Sequence, residues 1–175
     1  MSKFGDAPIF LIGYRGTGKT TVARELAQRL QFEAVDADDL IEQQAGKTIA
    51  AMFADDGEPA FRDLESKVVA ELCGRGRTVV ALGGGAVLRE ENRQAILAAG
   101  PVIWLTASIA TIIERLASDA TTADRRPNLT PVGGQLEVER VLAERMPIYR
   151  QCATLVVDTE GKSPADVAGE IISQL

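Results

Sequence analysis

The chain runs to 175 residues, 46% of them hydrophobic, which predicts one compact domain able to bury a proper core. Its formal charge of −6 argues against a general nucleic-acid binder, so any anionic ligand must meet a local cluster of Arg and Lys; with no histidine, base chemistry falls to a carboxylate, or to no base. Cys73 and Cys152 match no metal-ligand spacing, residues 1–8 lack the apolar core of a signal peptide, and no run approaches the ~20 apolar residues of a membrane helix, so a reduced, soluble, cytoplasmic protein is expected.

The first predicted strand, 9–12, is an apolar run followed directly by Gly13-Tyr14-Arg15-Gly16-Thr17-Gly18-Lys19-Thr20 and a predicted helix at 19–30. This is the complete G-x-x-x-x-G-K-[ST] pattern in its strand–loop–helix context. The glycines let successive backbone N–H groups face a phosphate, and the helix start adds the positive end of its dipole. Lys19 can reach the β- and γ-phosphates, and the Thr20 hydroxyl can ligate Mg²⁺. The second strand, 33–36, ends in Asp36-Ala37-Asp38-Asp39 and leads into helices at 38–45 and 49–54. Asp38 could simply cap the first of these. Beside a phosphate loop, we expect at least one of Asp36 and Asp38 to serve near Mg²⁺ or to orient a nucleophile.

A helix at 59–73 opens with Arg62 and Glu65 at i, i+3, either a surface pair or an anion-binding arginine with its partner. The strand at 78–82 ends without an acid, which strengthens the case for Asp36, and Gly83-Gly84-Gly85 follows it with room for close backbone approach to a ligand. After a helix at 90–99, the strand at 102–105 carries Trp104, read as core, and a helix is predicted at 109–116. Residues 118–134 are polar, with Asp124, Arg125, Arg126 and paired glycines, and read as a lid rather than an ordinary insertion. The helix at 135–150 contains Arg145, a carboxylate clamp or a solvated end residue, and Pro147, expected to kink or interrupt it. A strand at 154–157 and a helix at 164–175 close the chain. The alternation predicts an α/β doubly wound domain whose ligands lie beyond the carboxyl ends of the strands.

Taken together, the chain resembles shikimate kinase. The resemblance rests on Gly13-x-x-Gly16-x-Gly18-Lys19-Thr20-Thr21, on Asp36-x-Asp38 with Ile41-Glu42, on Gly46-x-x-Ile49, and on Phe53-x-x-x-Gly57-Glu58-x-x-Phe61-Arg62-x-x-Glu65. It continues through Gly83-Gly84-Gly85, Arg126-Pro127 and Arg145-x-Pro147-x-Tyr149, nearly to the C-terminus. It implies a three-layer α/β/α P-loop kinase fold like that of nucleoside monophosphate kinases. A five-stranded parallel sheet of order 2-3-1-4-5 is expected, with a helical substrate-binding segment at about 38–65 and a mobile lid at about 118–134. It implies transfer of the ATP γ-phosphoryl group to the 3-hydroxyl of shikimate by a Mg²⁺-dependent monomer. Residue by residue, it implies ATP binding by Gly16, Thr17, Gly18, Lys19, Thr20 and Thr21. Arg126 closes on the phosphates, and Lys162 lies near the adenine. Thr20 and Asp36 serve Mg²⁺, and Asp38 contacts the shikimate hydroxyls as candidate base. Arg62 and Arg145 hold the carboxylate beside Gly83, Gly84 and Gly85, with Glu65 keeping Arg62 in register. The catalytic set is Lys19, Asp38 and Arg126. Rival readings are gluconate kinase or another small P-loop metabolite kinase, a nucleoside monophosphate kinase, and a non-catalytic nucleotide switch.

Overall fold

The computed structural model describes residues 5–119 and 134–175. Five strands form one parallel sheet: β1 (Ile9–Ile12), β2 (Glu33–Asp36), β3 (Thr78–Ala81), β4 (Val102–Thr106) and β5 (Leu155–Asp158), in the order β2-β3-β1-β4-β5. The described helices are α1 (Lys19–Leu30), α2 (Ala37–Ala45), α3 (Ile49–Asp55), α4 (Gly57–Cys73), α5 (Glu90–Ala99), α6 (Ile109–Ser118), α7 (Gly134–Cys152) and α8 (Pro164–Gln174). The expected strand order is therefore observed. β1 lies between β3 and β4, with Leu11 opposite both Ala81 and Ile103.

Two-residue periodicity explains the layers. Phe10 and Ile12 of β1, with Val80, Val102 and Trp104, pack under α2 to α5 and α7. Ile9 and Leu11, with Val79, Ile103 and Leu105, pack under α1 and α8. Trp104 is a core residue, as expected, and Cys73 and Cys152 are free thiols. Among the described residues, no helix is long and apolar enough to cross a membrane.

Three departures from expectation have clear physical reasons. The N-cap of α2 is Asp36, whose carboxylate accepts from the Asp38 N–H at 2.9 Å. Asp38 is thus inside the first turn and is not the cap. α4 starts at Gly57 rather than at Pro59, because a proline in the first turn sacrifices no intrahelical hydrogen bond. Pro147 does not interrupt α7, which runs on to Cys152. The last turn is held by the buried Tyr149, whose hydroxyl donates to the Gly84 carbonyl at 2.6 Å, and this tertiary anchoring outweighs the local cost of proline.

Candidate active site

β1 delivers the chain into the phosphate loop at Gly13, whose φ is 143°. A Cβ there would lie 2.5 Å from the Leu105 carbonyl oxygen, so only glycine lets the loop leave the sheet edge this closely. α1 begins after Gly18 with no side-chain cap and no acid in its first turn. Its first N–H groups thus remain available to an anion, with the helix dipole behind them. Lys19 folds over the loop, its Nζ donating to the Gly13 carbonyl at 2.8 Å and to that of Tyr14 at 3.0 Å. The Thr17 hydroxyl is spent inside the loop, donating to Tyr14 O at 2.8 Å.

The two aspartates take different roles through their positions. Asp36 ends β2, caps α2 and accepts from the Thr20 hydroxyl at 2.6 Å. Burial, and then the adjacent Asp38 carboxylate, push the Asp36 carboxyl above the usual aspartate range, against the opposing pull of the Thr20 hydrogen bond. A hydroxyl and a carboxylate in contact supply the hard oxygen donors that Mg²⁺ takes, together with phosphate oxygens and water. The residues present therefore fit that ion.

Two arginines converge on the triple glycine from different helices. Arg62 of α4 is 9% exposed and donates to Glu65, itself 2% exposed, at 2.7 Å. The pair is buried, not a surface pair, and the guanidinium also lies 5.1 Å from the Phe61 ring centroid. A Cβ on Gly85 would stand 2.6 Å from both terminal nitrogens of Arg62. Arg145 of α7 is 8% exposed, and a Cβ on Gly84 would stand 3.1 Å from its Nη1 and 3.4 Å from Gly13 O. A side chain at Gly85 would displace the Arg62 guanidinium and one at Gly84 would crowd that of Arg145, and Arg145, Gly84 and the phosphate loop meet at one point. Among the described residues Arg145 makes no ion pair.

A cavity of about 380 Å³ opens at the carboxyl ends of β1, β2 and β3. Of the expected site residues, Gly16, Gly18, Lys19, Thr20, Thr21, Asp36, Asp38, Gly83 and Gly84 line it. Thr17, Gly85, Arg62 and Arg145 are not among the lining residues, although Arg62 and Arg145 reach the flanking glycines. Lys162 is not brought to the cavity; its Nζ pairs with Glu170 of α8 at 2.7 Å. Arg126, Arg125 and most of the predicted lid lie outside the described residues. Two cations on the wall, Arg15 and Arg115, escaped the sequence reading. Arg115 of α6 donates to Gly16 O at 3.3 Å and to the Thr159 hydroxyl at 3.0 Å. Its only sequence signal is a position on the helix after β4, since its partners lie 99 and 44 residues away.

The sequence pattern of the family described as Shikimate kinase matches residues 15–175. A shikimate kinase of Rhodopirellula baltica is 46% identical over 164 residues, covering 94% of this chain and 88% of that protein. The solved structure of a shikimate kinase from Acinetobacter baumannii in complex with shikimate superposes with a TM-score of 0.90 at 33% identity, covering 99% of this chain and 93% of that one. A gluconokinase from Sinorhizobium meliloti shares the fold alone, with a TM-score of 0.55 at 14% identity over 98% of this chain and 92% of its own. By family pattern, sequence identity and fold, this chain belongs to the shikimate kinase family.

Proposed function

We propose that the protein transfers the γ-phosphoryl group of ATP to the 3-hydroxyl of shikimate, giving shikimate 3-phosphate and ADP, a step of chorismate and aromatic amino-acid biosynthesis. The observation that carries this reading is Arg145, a buried guanidinium with no ion pair among the described residues, set beside Gly84 and the phosphate loop. A buried cation calls for an anion, and a planar guanidinium matches a carboxylate. Arg62, which meets the same glycine turn, is the second clamp on that carboxylate.

ATP phosphates rest on the N–H groups of Gly16 to Thr21. Thr20 and Asp36 would hold Mg²⁺, which would supply positive charge to offset that of the phosphates. Lys19 exchanges its two loop carbonyls for the transferring phosphoryl group. Asp38, on the cavity wall, accepts the hydrogen bond of the attacking hydroxyl. That oxygen attacks the γ-phosphorus in line as the bond to the β,γ-bridging oxygen breaks, ADP leaves, and the hydroxyl proton passes to Asp38. Because such transition states are loose, Asp38 contributes more by orientation than by early proton removal. Arg126 adds a cation to the transferring group by the family pattern, and Arg115 secures the nucleotide side of the cavity. The reading includes a cytoplasmic monomer acting on two small-molecule ligands, without a nucleic-acid or membrane partner.

A coupled ADP-release assay with shikimate, gluconate and AMP as separate acceptors tests this. Release dependent on shikimate alone is expected. Turnover driven by gluconate or AMP instead would replace the acceptor, and ADP release indifferent to all three would favour the switch.

A further inference from the structure

Arg15 has no part in the chemistry above, yet its side chain ties the phosphate loop to a helix distant in sequence. Its Nη2 donates to Glu137 Oε2 at 2.9 Å, across 122 residues of sequence. The side chains are 15% and 2% exposed, so the ion pair is largely desolvated. Glu137 sits in the first turn of α7. One residue earlier in the loop, Tyr14 is fully buried against Val138 and Val141 of the same helix and Ile112 of α6. Two consecutive loop residues are therefore fastened to the start of α7, one by charge and one by apolar packing.

What the tether holds is the part of the loop that organises the rest. The carbonyls of Gly13 and Tyr14 carry the Lys19 ammonium, and that of Tyr14 also accepts from Thr17. Displacement of Tyr14 and Arg15 would move both anchors. A buried ion pair is a poor source of net stability compared with apolar residues of similar volume; what it does supply is a fixed direction. Glu137 also neutralises Arg15, so the pair adds position to the cavity wall rather than free positive charge.

We propose that Glu137 is a positioning residue for nucleotide binding: through Arg15 it holds the Tyr14–Gly16 segment, and the Lys19 side chain seated on it, where the nucleotide phosphates are received. This rests on the nucleotide-binding reading of the loop. The acceptor half has further anchors of its own, the hydrogen bond to Gly84 from Tyr149 in the last turns of α7 and Arg62 of α4 against Gly85, so KM for shikimate reads that half apart from the loop.

Calorimetric titration of the full chain with Mg²⁺ and ADP, alongside steady-state kinetics, tests the proposal. Wild type binds ADP. E137Q and R15M weaken ADP binding by about tenfold, while KM for shikimate stays within about twofold. The double variant R15L/E137L removes both charges; it regains thermal stability without regaining ADP affinity, and it decides the matter if E137Q does not fold. ADP affinity in E137Q within twofold of wild type, or recovery of both stability and ADP affinity in the double variant, overturns the positioning role. Failure of wild type itself to bind ADP would instead bring down the nucleotide reading on which the proposal stands.

Discussion

Glycine at position 85 and arginine at 62 are one feature seen from two sides. A methyl group on Gly85 would press on both terminal nitrogens of a guanidinium that Glu65 already holds in place. We therefore expect G85A to stay folded but to raise KM for shikimate at least tenfold, with ADP affinity unchanged; steady-state kinetics and calorimetry separate the two effects. R145A removes the guanidinium that lacks a partner among the described residues, so no carboxylate is left stranded by the substitution. It should raise KM for shikimate by about 30- to 150-fold, the worth of a bidentate charge-assisted contact of roughly 2–3 kcal/mol, and again spare ADP. Loss of ADP affinity in R145A would show that the acceptor pocket is misassigned. At this scale the sequence named Arg62, Arg145 and Gly83 to Gly85 through the family pattern, but spacing alone left both arginines ambiguous. Burial, a property of the folded chain, excludes the surface-pair and solvated readings: Arg62 and Arg145 are both buried beside the glycine turn.

Elements whose limits are set by local chemistry were legible in the sequence, and those set by distant packing were not. α1 and α5 run between the limits expected for them. α8 begins after a complete capping box in which Ser163 accepts from the Asp166 N–H at 3.1 Å and Asp166 accepts from the Ser163 N–H at 3.1 Å. S163A should cost about 1 kcal/mol, lowering Tm by about 2–4 °C, with kcat and both KM values unchanged. A change in ADP affinity would mean that α8 bears on the nucleotide side. α7 is the opposite case. Pro147 argued for a kink or an interruption; the helix is not interrupted, with Tyr149 and Cys152 of its last turns buried. Asp38 stayed open as a cap of α2 because either aspartate satisfies the local rule; the cap is Asp36, which also accepts from the Thr20 hydroxyl.

The described residues form one parallel sheet with helices on both faces, and the expected site residues among them, Lys162 excepted, gather at one edge of it. Since α1, which carries the phosphate loop, packs on the same sheet as every other layer, ligand binding should stabilise the domain as a unit. Thermal unfolding is expected to be a single transition, and ADP with Mg²⁺ at about 100 times its Kd should raise Tm by roughly 5–10 °C, from about 2.7 kcal/mol of linkage. Two resolved transitions, only one of them moved by ADP, would refute that unity. The sequence by itself determined the phosphate loop, the α/β alternation and the acids at the end of the second strand. Each is written in contiguous residues whose backbone and side chains interact locally. Only the tertiary structure decided that Arg115 and Arg15 stand on the cavity wall, that Lys162 turns away to Glu170, and that Glu137 reaches back to the loop. Those outcomes depend on which helix faces meet across the sheet edge, and periodicity places a residue on a face without saying what that face will touch.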